Sequence, residues 1–156
     1  MTTLSEADLI TEISTPNTYL NKNSFKRGRP HFSYPVGATN DTVIAVLDNY
    51  CITGRRTTDT LSLIPFPDYY RVNCVTIKNT DALADMKTHI DNAITQNDCV
   101  IFMLESLVSS SPGSQEWLIS DFQALIDYLY IKSPQIDVVT MSEFLYGLDN
   151  PRKLVI

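Results

Sequence analysis

Apolar positions along the chain recur at two spacings, helical and alternating, and the two take turns. Ser5, with Asp8 three residues on, has the form of a capping box and predicts a helix over residues 5–13. Pro16 is expected to stop or restart it, and the polar run NKNSFKRGRP reads as a loop. Alternation then predicts a strand over residues 31–36. Asn40 or Asp41 caps the next helix, whose apolar face is Val43, Ile44, Val46, Leu47 and Tyr50. A short strand at residues 51–53 leads into the polar GRRTTDT and the proline-punctuated LIPFPD.

The second half repeats the theme. Val72, Cys74, Val75 and Ile77 predict a strand over residues 70–77. Asp81 opens a helix running to about residue 97, with Leu83, Met86, Ile90, Ala93 and Ile94 on one face. The unbroken apolar run at residues 99–104 is what a strand covered on both sides of a parallel sheet looks like. SSSPGS separates it from a helix over residues 115–131, striped by Leu118, Phe122, Leu125, Ile126 and Leu129. Residues 136–141 form the last expected strand, Ser142 caps a short final helix, and the tail DNPRKLVI is expected to be loosely held.

Repeated β-then-α units predict an α/β fold with a mainly parallel sheet covered by helices. A chain of 156 residues suits one domain, taken as residues 1–150 with a tail at 151–156. It is too short for a full eight-unit barrel of about 250 residues. At the end of the first strand, Pro35 fixes its own φ and keeps Tyr34 extended, while Gly37 supplies a sharp turn. That makes a stiff corner at the C-terminal end of a strand, where parallel α/β folds place ligands.

Charge narrows the partners. A net charge of −6 argues against a general phosphate-backbone binder, so nucleic acid is not expected. The basic run Lys26-Arg27-Gly28-Arg29 is short and reads as a solvated loop. No stretch reaches the roughly 20 apolar residues of a membrane-spanning helix. MTTLSEADLITE lacks a signal-peptide layout, which places the chain in the cytoplasm if it is complete. Cys51, Cys74 and Cys99 are odd in number and far apart, as reduced interior residues are.

Candidate chemistry is sparse. His31 sits at a strand start, and His89 follows Asp85 by one helical turn, the spacing of an exposed ion pair. A lone histidine cannot supply the three protein ligands of catalytic zinc. Arg55 and Arg56 stand where they could bind an anionic or hydroxylated ligand or pair with Asp59. Tyr34, Tyr69 and Tyr70 could stack on sugar faces or fill a core. No G-x-S-x-G turn or glycine-rich phosphate loop is present.

One ordered set of segments carries a resemblance. FSYPVGATND is similar to the third motif of the polysaccharide deacetylases, the NodB-homology family or carbohydrate esterase family four, in its aYPyG form. CITGRRTT, DYYRVNCVTIKN, AITQNDCVIFMLESLV, WLISDFQALIDYL and DVVTMSEFLYGL follow in the order of that family's later strands and helices. The likeness covers residues 5–148 and resembles the C-terminal two-thirds of the family domain, part of a distorted (β/α) barrel.

The resemblance implies hydrolysis of N-acetyl groups on N-acetylglucosamine-type sugars, assisted by a divalent metal, typically zinc. It also implies an Asp pair near a first strand, an H-x-x-x-H motif and a late histidine. This chain has no H-x-x-x-H, and its opening TTLS resembles the segment that follows that motif in the family. Glu105 aligns with the late histidine and is the candidate acid, and Tyr34, Pro35, Gly37 and Arg55 are the candidate carbohydrate-binding residues. No metal ligand and no cofactor is expected from these residues.

Three readings follow: a portion of a deacetylase completed by other residues, a degenerate carbohydrate-binding or interaction module, or an unrelated α/β protein with its own ligand. In the first two, the sheet lacks its first strands. Its open edge is then expected to be covered by a homodimer partner, by a missing N-terminal segment, or by the helix or tail of this chain.

Overall fold

A computed structural model describes residues 1–25 and 28–146, together with the backbone of residues 153–155. Lys26 and Arg27 of the basic run lie outside the described residues, as do residues 147–152 and 156, which take in the end of the expected final helix and most of the tail. The chain divides into two compact units, Met1–Thr58 with Phe66–Asn73, and Asp59–Pro65 with the residues from Cys74 onward. The architecture is mixed α/β; among the described residues there are five α-helices and short strand pairs, all of them parallel.

In the first unit, α1 spans Glu6–Lys22. The Ser5 hydroxyl caps it, accepting the Asp8 amide at 3.3 Å and donating to the Asp8 carboxylate at 2.7 Å. The helix does not stop at Pro16. Proline removes one i→i−4 bond, but Asn17 just beyond it donates its side-chain amide to the Tyr50 carbonyl at 3.0 Å, tying the later turns down. β1, His31–Ser33, lies parallel to β2, Thr53–Arg55, in the register His31↔Thr53 to Ser33↔Arg55. Between them runs α2, Asp41–Leu47, with the Asn40 side chain accepting the Val43 amide at 2.9 Å. Leu9 and Ile13 of α1 meet Val43, Val46 and Leu47 of α2 in a core that also takes in Tyr34.

Both strands differ from the expected spans. β1 ends at Ser33 because Tyr34–Gly37 closes a turn, and β2 begins two residues later than expected. Residues 69–72 run beside β2: Gly54 donates to the Tyr69 carbonyl at 2.9 Å, and Arg56 to that of Val72 at 2.9 Å. They form only a parallel bridge, Arg55↔Val72, and not the long strand that their alternation predicts. The Tyr70 amide goes to the Asp68 carboxylate at 2.7 Å and the Arg71 amide to the Asp68 carbonyl at 3.2 Å, so those donors are spent locally.

The second unit contains β3 (Val75–Thr76), α3 (Leu83–Gln96), β4 (Phe102–Met103), β5 (Ser106–Val108), β6 (Glu116–Leu118), α4 (Ile119–Lys132), β7 (Asp137–Val139), α5 (Met141–Tyr146) and β8 (Lys153–Val155). β3 pairs with β4, β5 with β6 and β7 with β8. The expected helical stripes reach the core through Met86, Ile90 and Ala93 of α3 and Leu125 and Leu129 of α4. Ile126 instead stays 40% exposed.

The helix expected from residue 115 begins only at Ile119, because Glu116–Leu118 pairs with Ser106–Val108. The Glu116 carboxylate accepts the Gly113 amide at 2.7 Å, closing the turn ahead of β6. Trp117 is thereby buried, its indole donating to the Asp81 carbonyl at 3.1 Å. Thr140, not Ser142, starts α5: its hydroxyl accepts the Glu143 amide at 3.2 Å while its own amide donates to the Glu143 carboxylate at 2.8 Å, a capping box. Backbone residues 153–155 of the tail pair in register with β7.

A polar clasp joins α3 to α4. The Tyr128 hydroxyl donates to the Asp91 carboxylate at 2.8 Å, and Lys132 pairs with the same group at 2.7 Å. Hydrogen bonds from Lys132 and Tyr128 hold the Asp91 carboxyl below its ordinary pKa. Lys87 and Lys132 also lie 5.1 and 5.2 Å from the centre of the Tyr128 ring.

Candidate functional site

The C-terminal ends of β1 and β2 carry most of the residues singled out in the sequence. As β1 ends, the Tyr34 amide donates to the Arg55 carbonyl at 3.0 Å, seating the following turn directly on β2. The Gly37 amide then donates to the Tyr34 carbonyl at 2.8 Å, closing a four-residue turn with Pro35 and Val36 at its centre. Val36 has φ 53° and ψ 19°, and Gly37 has φ 71°. Pro35 and Val36 are exposed.

Glycine is required twice. A Cβ on Gly37 would stand 2.0 Å from the Thr57 Oγ1 and 2.9 Å from the Thr57 nitrogen, so the turn rests on the chain beyond β2 with no room for a side chain. A Cβ on Gly54 would stand 2.3 Å from the Tyr34 hydroxyl oxygen. Tyr34 is 3% exposed, and its hydroxyl donates to the Tyr70 carbonyl at 2.9 Å. Burial pushes the Tyr34 pKa up, which favours the neutral donor. Tyr34 therefore holds the turn from beneath, with little surface for a ligand.

Polar side chains line the strand ends. Arg55 donates from Nη2 to the Ser33 hydroxyl, a pairing that follows from their shared register. Arg56, just beyond β2, donates from Nε to the Asn73 side-chain oxygen at 3.0 Å. Arg71 ties Asp41 at the start of α2 to Asp68, at 2.6 Å from the latter. The Tyr70 hydroxyl donates to the Cys51 carbonyl at 3.0 Å, and Tyr69 meets Phe66 edge-on at 5.9 Å. Tyr70 is thus a brace, while Tyr69 keeps 46% of its surface exposed.

Other candidates belong to other elements. Glu105 belongs to the second unit, exposed in the link between β4 and β5, whereas Tyr34, Pro35, Gly37 and Arg55 come together in the first. Asp59 accepts the Thr76 amide at 2.9 Å and pairs with Lys78 at 3.7 Å. The Thr76 amide leads the causes that lower the pKa of Asp59. His31 Nδ1 lies 2.9 Å from the Thr53 hydroxyl, and burial lowers its pKa. Among the described residues, no group of three or more His, Cys, Asp or Glu side chains is placed to hold a metal ion.

Sequence reasoning passed over Ser33, Asn73, Thr57 and Val36. Ser33 was visible in principle as the residue opposite Arg55 once the strand register is known. No protein-family model matches the chain, and no curated protein and no solved structure is significantly similar to it.

Proposed function

We propose that this chain is a polysaccharide deacetylase-like module, built on the plan of that family's distorted barrel from its middle onward. It binds N-acetylated amino-sugar chains at the mouth of β1 and β2 and does not hydrolyse them with its own residues. The observation that carries the reading is the Tyr34–Gly37 turn seated on the end of β2, beside Arg55 and Ser33. It is a rigid corner with exposed apolar groups and a guanidinium, at the strand ends where parallel α/β folds take ligands. Pro35 and Val36 offer an apolar surface to a sugar, and Arg55 and Ser33 offer hydrogen bonds to hydroxyl and carbonyl oxygens.

The family's hydrolysis needs a metal that polarises the acetamide carbonyl and activates water. Among the described residues no group of three or more His, Cys, Asp or Glu side chains is placed to hold such an ion, and Glu105 is exposed. Hydrolysis, where it occurs, would draw those groups from outside the described residues.

Calorimetry with an N-acetylated chito-oligosaccharide tests the binding. The wild-type chain is expected to bind, and Arg55→Ala to weaken binding by about tenfold or more, the scale of a hydrogen bond from a charged group. No acetate is expected from the chain, with or without added zinc. Acetate release that a chelator abolishes would overturn the non-catalytic part of this reading, and no binding by the wild type would overturn the rest.

A further inference from the structure

We propose that the C-terminal end of α1 docks on an anionic lipid membrane, placing the rings of Tyr19 and Phe25 in the headgroup layer beside a set of basic residues. The inference is independent of the carbohydrate-binding reading and starts from the distribution of charge. None of the chain's 18 Asp and Glu residues lies between Glu12 and Asp41, yet four of its 12 Lys and Arg do: Lys22, Lys26, Arg27 and Arg29. A chain of net charge −6 therefore carries one segment whose charge is entirely basic. Among the described residues, neither Lys22 nor Arg29 makes an ion pair. Lys26 and Arg27 enter the argument through the sequence alone.

The same end of the helix displays aromatic surface. Tyr19 is 63% exposed and Phe25 57%, and residues 21–25 are all exposed. Tyr19 and Lys22 stand three residues apart on α1, which makes them neighbours on one face. Phe25 is set by the way the helix ends. Ser24 takes φ 63°, its amide donates to the Asn21 carbonyl at 3.1 Å, and the Phe25 amide donates to the Leu20 carbonyl at 2.9 Å. That pair of bonds is a Schellman motif, in which the residue in the place of Phe25 frequently packs back on the helix. Here the backbone is held while the ring stays more than half exposed.

A membrane accounts for both features at once. Phenylalanine has no polar group to satisfy and gains by leaving water for an apolar medium. Tyrosine suits a boundary with one side apolar and the other wet. Anionic headgroups attract each Lys or Arg that comes within about a Debye length of the surface. A nucleic acid or other long polyanion calls for a basic stripe across the domain, whereas these cations fall within eight residues at one helix end.

Sedimentation with vesicles tests the proposal, using phosphatidylcholine alone and equal parts phosphatidylcholine and phosphatidylserine. The wild type is expected to partition onto the mixed vesicles, to leave them at high salt, and to bind phosphatidylcholine alone about tenfold more weakly. Lys22→Gln and Phe25→Ala are each expected to weaken partitioning about fivefold. Both side chains are exposed, so both variants are expected to fold, as circular dichroism will show. Tyr130→Ala removes an 81% exposed ring from the second unit and is expected to bind as the wild type does. No partitioning onto the mixed vesicles, or partitioning that neither Lys22→Gln nor Phe25→Ala weakens, overturns the proposal. Binding to soluble heparin as tight as to the mixed vesicles, and unmoved by Phe25→Ala, also overturns it, because it marks a site for any polyanion.

Discussion

Trp117→Ala is expected to destabilise the second unit by about 4 kcal/mol, within the range for emptying a buried aromatic site. Trp117 is 2% exposed and packs with Ile90, Leu125 and Leu129 in the main core of that unit. Its loss leaves a cavity between elements that are themselves short, and it strips the Asp81 carbonyl of its indole donor. Trp117→Phe keeps most of the volume and is expected to cost about half as much, separating the cavity from the hydrogen bond. Urea titration followed by circular dichroism measures both variants. Because Trp117 is the only tryptophan, wild-type fluorescence reports this core directly. A loss below about 1 kcal/mol for the alanine variant would show that Trp117 is not the centre of the packing.

Gly54→Ala is expected to cost about 3 kcal/mol in the first unit, although it adds a single methyl group. That methyl would fall 2.3 Å from the Tyr34 hydroxyl oxygen and 2.6 Å from the ring carbon that bears it. The ring cannot swing aside cheaply, being buried and bonded to Tyr70, and packing edge-on to Phe32 at 5.6 Å. Gly28→Ala is the control, since nothing among the described residues lies within 4 Å of a Cβ there. It is expected to stay within about 0.5 kcal/mol of wild type. Equal stabilities for the two variants, measured by the same titration, would contradict the close approach of Tyr34 to β2.

Helix positions were legible where their signals are local, although α1 runs past Pro16 and α4 starts later than its pattern predicts. Ser5 and Asn40 cap α1 and α2 as their side chains suggest, and the apolar stripes of α3 and α4 do reach the core. Strand lengths were not legible, because alternation says which side chains are buried and not which amides find a partner. Asp68 captures the Tyr70 amide, which no periodicity reveals, and the expected eight-residue strand shrinks to a bridge and β3. Glu116–Leu118 was lost to the helical pattern for a related reason: the pairing with β5 is a tertiary choice that local propensity does not record.

The candidate site divides along the same line. Pro35 and Gly37 announce a turn in any context, and the turn lies where they place it. The conformation of Val36 contradicts its own propensity, so only the backbone shows it. The contact between Gly54 and Tyr34 depends on a strand register that the sequence leaves open. Glu105 drew notice only through alignment to a family position, and it stands exposed in the other unit.

The central claim is that the ends of β1 and β2 form a carbohydrate-binding mouth. Titrating the isotope-labelled chain with an N-acetylated chito-oligosaccharide, and following backbone amides by nuclear magnetic resonance, tests it most directly. Saturable shifts concentrated at residues 33–37 and 55–57, with the second unit little changed, are the predicted result. Shifts confined to the second unit around Glu105, or none at all, would contradict the claim.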